Sequence, residues 1–350
     1  MSNETPIQWT DLSSNALKAK RISDGKLGWF CVPGPLEGGR SDPTCAHCYA
    51  SKQNQVCGNN PGRHGTGHRF HLSQSKYLEP WLNQAELDKI ARKRVPKKMF
   101  MCDMTDLAAS IYECPNGHAL EDEAAAACGK FHVRCPKCRL IHDTQGHMAS
   151  LKWWPSEMIQ TCFDAWAAAA ENGMTIQMLS KRPLRLAAEL ELFARRNLAD
   201  GAFLPKKYLS LGIPERWHIG TSLGNRAGLP RIDQLRAIPA HLRFLSLEPL
   251  IEDLGEIDLT DIGWVILGGE SGAGARPCRL EWIDSLVRQC RAAGVKVFVK
   301  QHGARPTREL WDDVNPFNPS DVPLRYRDKK GGDPSEWPGG LERFPREVPA

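Results

Sequence analysis

Six short apolar runs recur along the chain, each closing in polar or glycine residues: "KMFMCDMTD" (98–106), "MTIQMLSKRP" (174–183), "WHIGTSLGN" (217–225), "LRFLSLEPL" (242–250), "GWVILGGESG" (263–272) and "VKVFVKQHG" (295–303). Each has the length and the β-branched or aromatic content of a buried strand. Apolar residues at helical spacing lie between them. In "SEMIQTCFDAWAAAAEN" Ile159, Cys162, Phe163 and Trp166 share a face behind a capping Ser156; in "LEWIDSLVRQCRAAG" Trp282, Ile283, Leu286, Val287 and Cys290 do so until Gly294 stops the helix. Strand and helix alternating at this spacing predict an α/β fold with a parallel sheet, either doubly wound or a full or partial (β/α) barrel.

The polar residues crowd at the C-terminal ends of these strands. Asp103 and Asp106, Lys181 and Arg182, Ser222 and Asn225, Glu248, Glu270 and Ser271, and Lys300 with Gln301 all fall there. Any one of them reads equally well as a cap or a ladder-end hydrogen bond. Six strands sharing the habit point to a site, because barrel enzymes build theirs from that end of the sheet.

With 350 residues, 41% hydrophobic and 25% charged, the chain has ordinary globular composition and length for one large domain or two smaller ones. The start, "MSNETPIQWTDLSS", has no basic and apolar leader pattern, and no run of apolar residues is long enough to span a bilayer. A soluble cytoplasmic protein with no membrane partner is expected. The net charge of +5 is mild, with its densest basic runs at "ARKRVPKK" (91–98) and "GRHGTGHRFH" (62–71). Such runs serve most proteins as solvated faces, although Lys and Arg near phosphates would also give sequence-independent affinity for nucleic acid.

Composition changes the picture most through its 12 cysteines. Without a secretion signal, clustered cysteines read as metal ligands before they read as disulfides. Residues 107–151 break the strand–helix rhythm and contain "CPNGH" and "CPKC", two Pro- and Gly-rich turns. Cys114, His118, Cys135 and Cys138 make a tetrahedral set for a structural Zn2+, with Cys128 as a rival for His118. Four protein ligands leave no open position for catalysis, and a polar insert with little core of its own gains most from a metal. Residues 304–350, rich in Pro, Gly and charge, read as a surface-wrapping or partly disordered extension.

A second group stands in "WFCVPGPLEGGRSDPTCAHCYA", where thirteen residues separate Cys31 from the Cys45–Cys48 pair. A closed zinc site would need a fourth ligand: His47 lies inside the turn, and Cys57 and His64 are the nearest downstream candidates. Three thiolates without an obvious fourth also suit a [4Fe–4S] cluster whose remaining iron binds something else. Spacing leaves zinc and cluster open. Tyr49 either packs on such a cofactor or belongs to the core.

"IQWTD" (7–11), "GWFCV", "PTCAHCYA", "MTDL", "QMLSKRP", "WHIGTSLGN", "RFLSLEPL", "GWVILGGESGAGARP" and "VFVKQHG", in this order from residue 7 to 303, together resemble a phage-encoded three-cysteine family of unassigned function. That family is distantly similar to radical S-adenosylmethionine (SAM) enzymes and to spore photoproduct lyase. The resemblance implies that Cys31, Cys45 and Cys48 ligate a [4Fe–4S] cluster, and that residues 1–106 and 151–303 form a partial (β/α)6 barrel of the radical-SAM type. Residues 107–150 would be a zinc-ribbon-like insert and 304–350 a C-terminal extension. It further implies SAM as cofactor, an electron donor as partner, a 5′-deoxyadenosyl radical as oxidant, and a nucleic-acid base or modified thymine as substrate, in DNA modification or repair in the host cytoplasm. Glu248, Lys181 and Lys300 become catalytic candidates. Tyr49, Ser222 and Asn225 become cofactor contacts, together with Gly268, Gly269 and Glu270, which are similar to the radical enzymes' GGE. Two departures stand out: the interval after Cys31 is longer than in those enzymes, and GGE follows a late strand instead of the second.

Two other functions compete. The first is a non-catalytic zinc or iron–sulfur nucleic-acid-binding phage protein, which would have no use for charges at six strand ends. The second is a metal hydrolase built on Asp103 and Asp106, which lacks a compact HxH or HExxH ligand pair.

Overall fold

The computed structural model of the protein describes residues 3–4, 7–31, 35–36, 40–46, 68–70, 77–102, 106–108, 110–113, 119–120, 132–134, 141–143, 149–152, 154–198, 212–310 and 320–349. The chain divides into two compact units. Met1–Pro6, Thr10–His218 and Ala237–His241 form the first, and Ile7–Trp9, Ile219–Arg236 and Leu242–Ala350 the second.

In the first unit β1 (Leu12–Ser14), β2 (Lys98–Met101) and β3 (Thr175–Ser180) run parallel, with Leu12 opposite Met99 and Met99 opposite Ile176. Asn3–Glu4 pairs antiparallel on the outer edge of β1. The unit boundary falls inside the next strand, β4 (Trp217–Ser222), after His218. In the second unit the order is β4, then β5 (Leu242–Leu247), β6 (Trp264–Gly268) and β7 (Lys296–Gln301). All six predicted strands are present; β1 adds a seventh. Seven parallel strands with connecting helices make a mixed α/β architecture compatible with a partial barrel.

β4 and β6 are buried at every position, the pattern of parallel strands covered on both faces. In the first unit α1 (Gln84–Ala91) precedes β2, α2 (Ser156–Glu171) precedes β3, and α3 (Pro183–Asn197) follows it. Phe163 of α2 and Phe193 of α3 close on Trp217, with ring centroids 5.4 and 5.0 Å away. Aromatic groups at these separations give large apolar burial together with favourable ring geometry. In the second unit α4 (Pro230–Arg236) and α5 (Leu280–Ala292) flank the strands, and Trp9, Phe244 and Trp264 interlock at 5.4 to 6.4 Å.

Ser156 is not the cap its position predicted. Pro155 occupies the cap position, its carbonyl accepting from Met158 and Ile159, and Ser156 is the first helical residue. Its hydroxyl donates instead to Glu189 of α3, whose carbonyl also accepts from Gln160 at 3.0 Å, so the serine ties two helices together. At the far end of α5, Gly294 takes φ +68°, and Val295 N–H reaches back to Cys290 O at 2.8 Å, as expected of a left-handed stop.

Each unit also has smaller sheets. Leu17–Arg21 lies between Leu27–Phe30 and Leu78–Leu82, with His68–Phe70 beyond Leu27–Phe30. Within the insert, Ser110–Glu113 pairs with Ala119–Leu120 and Ala149–Lys152, and His132–Arg134 pairs with Ile141–Asp143. Beyond β7, Pro306–Leu310 pairs with Ser320–Pro323, and Trp337 and Phe344 are buried against the His302 ring. The polar C-terminal composition thus conceals a small aromatic core.

Candidate functional site

In the first unit the turn after β3 reaches two distant segments. Asp106 accepts from Ser180 Oγ at 2.7 Å, from the Ala108 and Lys181 amides at 2.9 and 3.1 Å, and from Arg182 Nη1 at 3.0 Å. Both charged groups of the Asp106–Arg182 pair are nearly out of solvent, where pairing of opposite charges offsets the cost of burying them. Lys181 turns the other way: its ammonium lies 3.4 Å from Asp42 Oδ2 and donates to Thr44 Oγ1. Asp42 itself closes the turn that opens the short helix Pro43–Ala46, accepting from the Thr44 amide at 2.8 Å and its hydroxyl at 2.6 Å, while Cys45 N–H donates to Asp42 O at 2.9 Å. Neither Asp42 nor Thr44 was singled out from the sequence. The signal was there in "SDPT", since Asp before Pro and Thr is a turn-forming pattern.

The described cysteines sort into two kinds. Burial pushes the thiols of Cys278 and Cys290 up to about 12, and that of Cys162 upward as well, so these three are protonated members of the core. Cys31 and Cys45 are half-buried: Cys31 follows the strand Leu27–Phe30, and Cys45 lies in the turn tethered by Asp42. Cys102 is buried at the end of β2 with φ 58°, its amide donating to Ser14 O at 2.7 Å. Cys48, Tyr49, Asp103, Cys114, His118, Cys128, Cys135 and Cys138 lie outside the described residues. Among the described residues no three His, Cys, Asp or Glu side chains gather at a metal position.

In the second unit Glu248, just past β5, and Lys300, near the end of β7, are separated by β6, a span of roughly 10 Å at ordinary strand spacing. Their charged groups nonetheless meet at 3.2 Å. Gly268 at the end of β6 makes this possible: a Cβ there would stand 2.5 Å from Glu248 Oε1. Gly269 is equally constrained, since its Cβ would lie 2.3 Å from the carbonyl oxygen of His302. Glu270 is buried and binds Arg276 in a fork, each of its oxygens 2.9 Å from a guanidinium nitrogen, and it also accepts from the Arg276 amide. Ser222 lies beside this group, with Oγ 3.4 Å from Glu248 O and its carbonyl held by Arg231 Nη1 at 2.8 Å. Asn225 caps the following turn, accepting from Gly228 N–H at 3.1 Å. The structure therefore brings Glu248, Lys300, Ser222 and Gly268 together, while Lys181 belongs to the first unit.

Two buried histidines escaped the sequence reading. His302 sits between Trp337 and Tyr326, its Nδ1 2.9 Å from the tyrosine hydroxyl; burial, aided by Arg343 and Arg346, pushes its pKa down to about 3. His218, at the start of β4, is pushed down to about 4 by burial and by Lys98. Both are neutral near pH 7.

A family model described as "Protein of unknown function (DUF5131)" matches residues 149–332, just over half of the chain. The chain belongs to the DUF5131 family. The matched DUF5131 segment runs from the last strand of the insert past β7 and the strand Ser320–Pro323 to Gly332 and includes Lys181, Glu248, Lys300 and Glu270, whereas Cys31, Cys45 and Cys48 precede it. No curated protein and no solved structure matches the chain.

Proposed function

We propose that the chain is a radical SAM enzyme in which Cys31, Cys45 and Cys48 hold a [4Fe–4S] cluster, and that its substrate is a nucleic-acid base such as a modified thymine. The observation that carries this reading is the sorting of the thiols. Cys162, Cys278 and Cys290 are locked in the core with raised pKa values, while Cys31, just past the strand Leu27–Phe30, and Cys45, in the helical turn Pro43–Ala46, are half-buried, where thiolate ligands can be reached. The bound group supplies one-electron cleavage of the SAM sulfonium, an external donor furnishing the electron.

This chain's own residues supply binding and orientation. Lys300 and Glu248, fixed at the ends of β7 and β5 with β6 between them, offer one positive and one negative group to the amino-acid, ribose or phosphate parts of cofactor or substrate. Gly268 contributes the space that lets those two groups converge. The basic run at 91–98, in which Arg92 and Arg94 are exposed and Lys93, Lys97 and Lys98 half-buried, lies at the N-terminal end of β2, the opposite end from Asp106, and fits a solvated face better than a substrate contact.

In the insert, Cys114, His118, Cys135 and Cys138 would hold a structural zinc in a ribbon. The support is positional. Glu113 and Ala119 are cross-strand partners on either side of the first ligand pair, and Arg134 and Ile141 on either side of the second. Two short ladders, each with one ligand pair between its strands in the sequence, fit the two-knuckle pattern of structural zinc modules.

Anaerobically reconstituted protein, reduced and given SAM, should release 5′-deoxyadenosine and methionine. A protein that takes up no iron and leaves SAM intact under these conditions contradicts the proposal.

A further inference from the structure

Cys45 follows the strand Leu27–Phe30 in the chain and lies in a short turn of its own, and a metal ligand on a turn needs an anchor to be held in place. Its local hydrogen bonds are short-range: Asp42 Oδ1 binds the Thr44 amide and hydroxyl, and Asp42 O binds the Cys45 amide. Short-range bonds give a four-residue helix little stability in water. A tertiary anchor comes from 139 positions further along the chain, where Lys181 places its ammonium on Asp42 Oδ2 and Thr44 Oγ1.

The Asp42 side chain is fully buried and that of Lys181 only 18% exposed, so the pair is desolvated, and removing the lysine would take a cation from a buried carboxylate at the root of the turn. The arm that delivers the ammonium is itself rigid. The Lys181 amide and its neighbours Ser180 and Arg182 are all bound to Asp106. The "SKR" at the end of β3 is therefore a junction, with Arg182 fastened to one segment and Lys181 to another.

We infer that Lys181 is a positioning residue that holds the Cys45 turn in its ligand-presenting form, through Asp42 and Thr44, and does not itself contact substrate. The assignment of Cys45 as a cluster ligand rests on the radical SAM reading; the tether does not. Two measurements separate them. In metal-free protein, amide hydrogen exchange of the peptide covering residues 42–46 should quicken about tenfold in Lys181→Met and in Asp42→Asn, and return to the wild-type rate in Lys181→Arg, while peptides from β3 and β6 stay protected. In reconstituted protein the same variants should lose iron in parallel.

Unchanged exchange at 42–46 in both Lys181→Met and Asp42→Asn would overturn the inference. So would exchange quickened equally in every peptide, since that reports general unfolding. If exchange responds as expected but wild-type protein holds no iron, the cluster reading fails and the tether stands.

Discussion

The two strand-end groups solve the problem of placing charge near a sheet in opposite ways. In the first unit Lys181 and Arg182 leave the sheet to fasten distant segments, through partners 139 and 76 positions away. In the second, Glu248 and Lys300 pair across a single intervening strand, and the space they need is created by a missing side chain at Gly268. The first arrangement fixes loops and uses up its cations doing so. The second presents a charge pair on rigid strands, where modest exposure, 13% for Glu248 and 29% for Lys300, leaves it accessible to a ligand. Residues that look alike in the sequence, basic groups closing apolar runs, thus serve different ends, and only their partners tell them apart.

The largest way to break this contrast is Asp106→Ala. It removes the carboxylate of a buried ion pair and releases Ser180 Oγ and the Lys181 amide from it, so the first unit should lose about 3–5 kcal/mol of stability, read as a shift of its urea midpoint.

Acid should weaken both units, one histidine in each. His218 and His302 accept a proton at about 6.5 when unfolded but only near 4 and 3 when folded. Between those limits the unfolded chain binds more protons, so stability is complete above about pH 6.5 and declines as pH falls. Each histidine should account for about 2 kcal/mol at pH 5, visible as lower urea midpoints at pH 5 than at pH 7.

The glycines sharpen the second half. Gly269→Ala forces a methyl group into the His302 carbonyl and should cost about 1–3 kcal/mol, seen as a lower melting temperature. Gly268→Ala meets a side chain that can swing aside, so it should cost less, about 1 kcal/mol. Its larger consequence is to part Glu248 from Lys300, which in a crystal structure of the variant should appear as a broken ion pair.

Much of the frame was legible because buried parallel strands are written as continuous apolar runs. "WHIGTS" and "WVILG" are buried at every position, and α5 carries its apolar stripe at helical spacing. β1 escaped because three residues, two of them serines, make no periodic signal. The sheet around Leu17–Arg21 escaped because its cross-strand partners are set by register, which spacing along one strand does not encode. Glu248 and Lys300 could be picked out singly, but their meeting required knowing that β5, β6 and β7 are adjacent. Asp42 and Lys181 were the hardest to read together, since a turn signal and a strand-end cation carry no mark of each other. The C-terminal aromatics were hidden by averaging: a polar stretch needs only Trp337 and Phe344 to make a small core around His302.

The central claim is that two metals sit on separate cysteine sets, and metal analysis of two variants tests it most directly. Anaerobically reconstituted wild-type protein should carry iron and sulfide with a broad visible absorbance, and zinc besides. Cys45→Ala should lose the iron and the colour but keep the zinc; Cys135→Ala should lose the zinc and keep the colour. A colourless wild-type protein holding two zinc ions, one of them lost in each variant, would contradict the account.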